Sequence, residues 1–159
     1  FVTMAVVAGI GVAMNAFNDI RNVTDANAVL SNTTTAVTDE LRFATGVEQQ
    51  ETTDGQDVWA YDSTVRGYRL YLADSVDGIT LNAIDAPSEA GGSTSFTTTG
   101  SSALPIAQTG TASGVSYLSH LDSLSYDDAT HTWTCSLSVT DGTRTVRSGS
   151  FTVQAVNNW

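Results

Sequence analysis

A chain of 159 residues with 41% hydrophobic content makes one domain, with room for an appendage and enough apolar mass for a modest core. Six basic against seventeen acidic residues leave a formal net charge of −11, which repels nucleic-acid phosphates and anionic headgroups, so no nucleic acid is expected as a partner. All six basic residues are arginine, which excludes Schiff-base, P-loop and isopeptide chemistry on lysine, and the single Cys135 has no partner for an intrachain disulfide.

Residues 1–17 carry no charge. A membrane span takes about 20 apolar residues, and Thr3 and Asn15 weaken this shorter run. It lacks the basic leader of a signal peptide. Ala5, Ala8, Gly9, Gly11, Ala13 and Ala16 permit close helix approach. The run is apolar all round, whereas a helix buried on its own domain needs only one apolar stripe. Such a stripe follows. Ile20, Val23, Leu30, Val37 and Leu41 recur at spacings of three, four and seven, with Asn27 and Thr34 filling the gaps. The pattern predicts a helix to about Phe43, stopped by Gly46. A helix of ~45 residues is roughly 68 Å long, more than a domain this size can bury, so its first half is expected to project.

Beyond the helix, residues 46–159 are expected to form a β-rich head. "DVWAYD", "RGYRLYLAD" and "GITLNAI" read as strands, the second with Tyr68, Leu70 and Leu72 on one face. Residues 86–114, rich in Gly, Ser and Thr and holding both prolines, read as a long exposed loop. A further strand is expected between Val115 and Tyr126. Trp133, Cys135, Leu137 and Val139 then alternate with Thr and Ser, and "TDGT" supplies a hairpin turn. With Thr140 and Thr143 flanking that turn, Val146 faces Leu137, and a bulge at Ser148 and Gly149 restores Phe151, Val153 and Ala155 to one face. Upstream, Leu124 is placed opposite Trp133. The result is a three-strand meander with one apolar face, covered by the second half of the helix. The fold class is therefore α+β: a long N-terminal helix (1–45, with 1–17 as membrane or filament-core segment) on an antiparallel head.

Chemistry is sparse. His120 and His131 sit in no metal-ligand spacing, and Cys135 lies on the apolar face of its strand. The acidic groups in "TDGQD" and "YDDAT" lack the register of a calcium loop. "GIG" near the start follows no strand and is no dinucleotide fingerprint. Asn22 and Asn32 head glycosylation sequons in a Thr-rich chain. No catalytic residue, cofactor or metal site is expected, and the chain reads as a non-enzyme.

Phe1, the apolar run to Phe17, "TAVTDELRFATGV" and "LSYDDATHTWTCSLSVTDG" together resemble the type IV pilins and pseudopilins, in particular Gram-positive members without disulfides. The resemblance covers the whole architecture. It implies trimming by a prepilin peptidase before Phe1, N-methylation of that residue, a membrane pool before assembly, and an assembly machinery that builds an extracellular filament at the cell surface. It also implies a homopolymer held through the N-terminal helices, with Phe1, Met4, Val7, Ile10, Met14 and Phe17 in the filament core. Ile20, Val23, Leu30, Val37 and Leu41 would pack on the head. The glutamate usual at the fifth mature residue of the family is Ala5 here. Either this chain belongs with members that lack it, or it starts about ten residues into the mature segment, which would lengthen the apolar run toward the usual span. The function expected is a structural pilus-like subunit; a secretion pseudopilin and a membrane-anchored β-rich binding module are the alternatives.

Overall fold

The computed structural model describes residues 2–52, 55–84, 98–103 and 115–156, with side chains described in all of these except 2–11 and 98–103. One helix, α1 (Val2–Arg42), precedes eight strands. Threonines inside a helix compete for its hydrogen bonds. Here the Thr24, Thr33 and Thr35 hydroxyls donate back to the carbonyls of Ile20, Val29 and Ser31, which keeps the ladder intact. Arg42 sits in the last turn, where a cation suits the helix dipole. The Arg42 carbonyl, an orphan of the helix end, accepts the Val156 N–H at 2.9 Å.

The strands form two antiparallel sheets. The first runs in sequence order, β1 (Ala44–Glu51), β2 (Asp57–Ser63), β3 (Tyr68–Ser75), β4 (Gly78–Ile84) and β5 (Thr98–Ala103). The second is the meander β6 (Leu118–Asp127), β7 (Thr132–Thr140) and β8 (Thr145–Gln154). Their facing sides and the second half of α1 share one core. It includes Val37 and Leu41 from the helix, Tyr61, Leu70, Leu72, Ile79 and Leu81 from the first sheet, and Trp133, Cys135, Leu137 and Val153 from the second. Trp133, fully buried, is its centre: Tyr126 lies 4.7 Å, Tyr61 5.9 Å and Trp59 6.4 Å away between ring centroids. A smaller cluster of Ala26, Val29, Tyr117 and Val139 extends the helix contact toward its N-terminal end.

Several expectations are corrected. Gly46 does not end the helix; it lies inside β1 at φ +56°, where the pairing with β2 shifts between Thr45 and Glu48. A left-handed residue at such a register shift suits glycine, which adopts that backbone without a Cβ penalty. Residues 86–114 are not loop throughout, because β5 pairs with β4 within them; "TTGSSA" has no apolar alternation to announce it. The strand β1 was not anticipated either, its "ATGVEQQE" being polar and mostly exposed at a sheet edge. Leu124 stands opposite Cys135, and Tyr126 takes the place opposite Trp133. That two-residue difference preserves the face, since side chains repeat every second residue. In the last hairpin Leu137 pairs with Gly149 rather than Val146, and the register shifts beside Val139 and Thr140 rather than at Ser148 and Gly149. Phe151 and Val153 still pair with Cys135 and Trp133. A Cβ on Gly149 would stand 3.5 Å from Leu30 Cδ2, an ordinary van der Waals contact, so the packing of α1 on β8 does not itself demand glycine there.

Candidate assembly surface

The helix-head seam is built from Ala26, Val29, Thr33, Val37 and Leu41, with Leu30 and Ala36 partly buried beside them. Val37 and Leu41 are fully buried, and Val23 is half-buried. Ile20, expected on the same seam, is 67% exposed. Asn27 is also exposed, and Thr34 only half-buried. The reason is geometric. A seven-residue repeat drifts by about 20° per heptad on a straight helix, so the buried line moves from positions 27 and 34 to 26 and 33. Thr33 is buried despite its hydroxyl because Ser119 Oγ lies 2.7 Å from its Oγ1, a hydrogen bond that satisfies both groups.

Toward its N-terminal end, α1 leaves the head. Val12 is 71%, Met14 61% and Phe17 65% exposed. At 3.6 residues per turn, Met14, Phe17 and Ile20 fall about 120–180° around the axis from the line through Ala26, Thr33 and Val37. Val12 and Val23 fall near that line. The exposed apolar surface therefore wraps the rod instead of continuing the seam. Met4, Val7 and Ile10 lie in the helix, but their side chains, and Phe1 altogether, are outside the described residues. Among the described residues, no helix is long and apolar enough to cross a membrane.

The reactive residue types have structural partners. His120 Nδ1 lies 3.1 Å from the Asp74 carboxylate, which also accepts the Leu121 N–H at 3.0 Å, tying β3 to β6. His131, at φ +53° in the β6–β7 turn, is 3.1 Å from the Tyr126 hydroxyl through Nδ1. Burial pushes the Cys135 thiol up to about 12, with the Asp122 carboxylate adding to it, so it is a protonated core group at neutral pH. Asp127 is occupied by the Thr130 hydroxyl and the Ala129 N–H, which hold its pKa below the ordinary value. Glu40 pairs with Arg66 at 3.2 Å and accepts the Ser63 hydroxyl; burial, then its charge, raises the neighbouring Tyr61 phenol well above its ordinary value. Among the described residues no group of three or more His, Cys, Asp or Glu could hold a metal ion.

Three features of the structure lie outside the sequence reading, the Thr33–Ser119 pair, the Asp74–His120 tie and Arg42 at the helix end, and each would need a sequence signal to be found. Only Arg42 had one, as a cation in the last helical turn. No family model, curated protein or solved structure matches this chain.

Proposed function

We propose that this chain is the structural subunit of an extracellular filament, polymerised through the first half of α1 and displaying the acidic β-rich head to solvent. The observation that carries the reading is the helix itself. Among its described side chains, from Val12 onward, the first fully buried is Ala26, and 24 residues of helix from Val2 precede it, about 36 Å of rod. Val12, Met14, Phe17 and Ile20 stand exposed on the described part of that rod. A contiguous exposed apolar surface marks a contact with something outside the chain. Its wrap around the axis suits a bundle of like helices, where every side meets a neighbour, better than one groove on one partner. Many contacts of about 0.1–0.2 kcal/mol per atom pair then add up to a stable core. The excess of carboxylates keeps the heads in water and holds assembled filaments apart from one another.

On this reading the chain waits at the membrane, is trimmed by a prepilin peptidase, and is driven into the polymer by an assembly machinery. The test is mass spectrometry of filaments sheared from the cell surface. Peptides of this chain as the main component support the reading; their absence from filaments while the chain stays with the cell body contradicts it.

A further inference from the structure

Two features at opposite ends of the head complement each other. At the end where α1 stops, a cleft of about 520 Å³ opens between Thr38, Arg42, His131, Gln154 and Val156. Its walls are fixed: Val156 N–H donates to the Arg42 carbonyl and Ala155 N–H to the His131 carbonyl. Arg66, Arg69 and Arg144 each pair with a carboxylate. The exposed Arg42 meets none among the described residues, so the cleft carries an uncompensated positive charge beside the apolar Val153, Ala155 and Val156.

At the other end is the β3–β4 hairpin tip. Val76 is 90% exposed, the highest of any large hydrophobic side chain among the described residues, and Asp77 beside it is exposed without a cation. The tip is held in shape, since Ser75 Oγ donates to the Gly78 carbonyl at 2.8 Å and accepts the Asp77 N–H at 3.2 Å. Its direction follows from the topology. The turn before β3 is anchored near the helix end by Arg66 on Glu40. The strand ends at Asp74, tied to His120, next to the Ser119 that bonds Thr33. Thr33 lies about 13 Å back along α1 from Arg42. The tip therefore points toward the projecting half of the helix, and the cleft faces away from it.

We propose that the Val76-Asp77 tip of one copy seats in the Arg42 cleft of the next, Val76 against the exposed Val156 and Asp77 on the Arg42 guanidinium. The proposal rests on the filament reading and names its head-to-head contact. The two patches differ and lie at opposite ends, so the contact is heterologous and propagates along a polymer instead of closing a dimer. It also sets an opposite-charge pair where two copies of net charge −11 would otherwise repel each other.

The experiment uses the full chain in cells. Thr38→Cys with Val76→Cys, mildly oxidised in sheared filaments, should give a reductant-sensitive ladder on a denaturing gel, about tenfold above either single variant; Cys135 is buried and adds little background. Arg42→Asp or Asp77→Arg alone should lower filament yield about tenfold, and the two together should restore it. Filaments with no ladder, or no restoration in the double variant, overturn this contact and leave the filament reading standing. A ladder of equal strength from Thr38→Cys with Val65→Cys, whose exposed Val65 lies at the cleft end of the head, also overturns it. If the unaltered chain makes no filaments, the filament reading falls and this contact with it.

Discussion

The two halves of α1 invert the usual relation between apolarity and burial. The half that carries Val12, Met14, Phe17 and Ile20 is exposed, while the half against the head is covered and includes Ala26 and Thr33 at its tightest points. Single exposed hydrophobics need no explanation, but four large ones between Val12 and Ile20 of one helix do. The covered half is narrow because two sheets already supply the bulk of the core and the helix need only close it. Ala26 and Val29 pack there with Tyr117 and with Val139 of β7, and Leu30 lies over Gly149 of β8. One continuous helix thus closes the core of the head with its second half and, on the proposed filament reading, offers its first half to neighbours.

The largest effect expected from separating these halves is all-or-none. Phe17→Asp should abolish filaments, because a lone carboxylate in a dry bundle costs several kcal/mol. The head should keep its thermal transition, since Phe17 is 65% exposed and outside its core. Electron microscopy and calorimetry on the same variant read both halves at once. Normal filaments, or a head that melts much lower, would remove the distinction.

The reverse experiment acts on the other core. Trp133→Ala should destabilise the head by about 3–5 kcal/mol in denaturant unfolding. A loss under 1 kcal/mol would mean that Trp133 does not hold the two sheets and the helix together. A smaller effect sharpens the account of the seam. Thr33→Val should cost about 1–3 kcal/mol by stranding the Ser119 hydroxyl, and adding Ser119→Ala should recover part of it. Additive losses in that double-mutant cycle would deny the buried pair.

The smallest effect concerns the β7–β8 turn. Asp141 is held at about 2, below the ordinary 3.8, first by the Thr143 hydroxyl and then by the Thr143 and Arg144 N–H groups. A carboxylate with a depressed folded pKa stabilises above its unfolded value and loses that contribution as pH falls through the folded one. Asp141→Asn should therefore flatten the fall in melting temperature between about pH 4 and pH 2. An unchanged slope would assign the acid response to other carboxylates.

Much of this division was legible in the sequence, for physical reasons. The apolar stripe after the uncharged run announced the helix and the part of it that the head covers. The alternation from Trp133 to Val139 gave the central strand of the meander, and the face of β6 survived an error in register because a two-residue slip preserves it. What escaped had no periodic signature. The polar edge strand β1 and the Ser/Thr strand β5 are defined by backbone pairing. Ile20 continues the heptad count but lies where the head has already ended. Contacts such as Asp74 with His120 join residues far apart in the chain, and no local pattern announces them.

We propose that the exposed Val12, Met14, Phe17 and Ile20 are covered in the filament by other copies of the chain. The most direct measurement is thiol labelling of Phe17→Cys in sheared filaments and in the same chain released by detergent, with the buried Cys135 as the unlabelled reference. The account predicts blocked labelling at position 17 in filaments and full labelling after release. Equal labelling in the two states would contradict it.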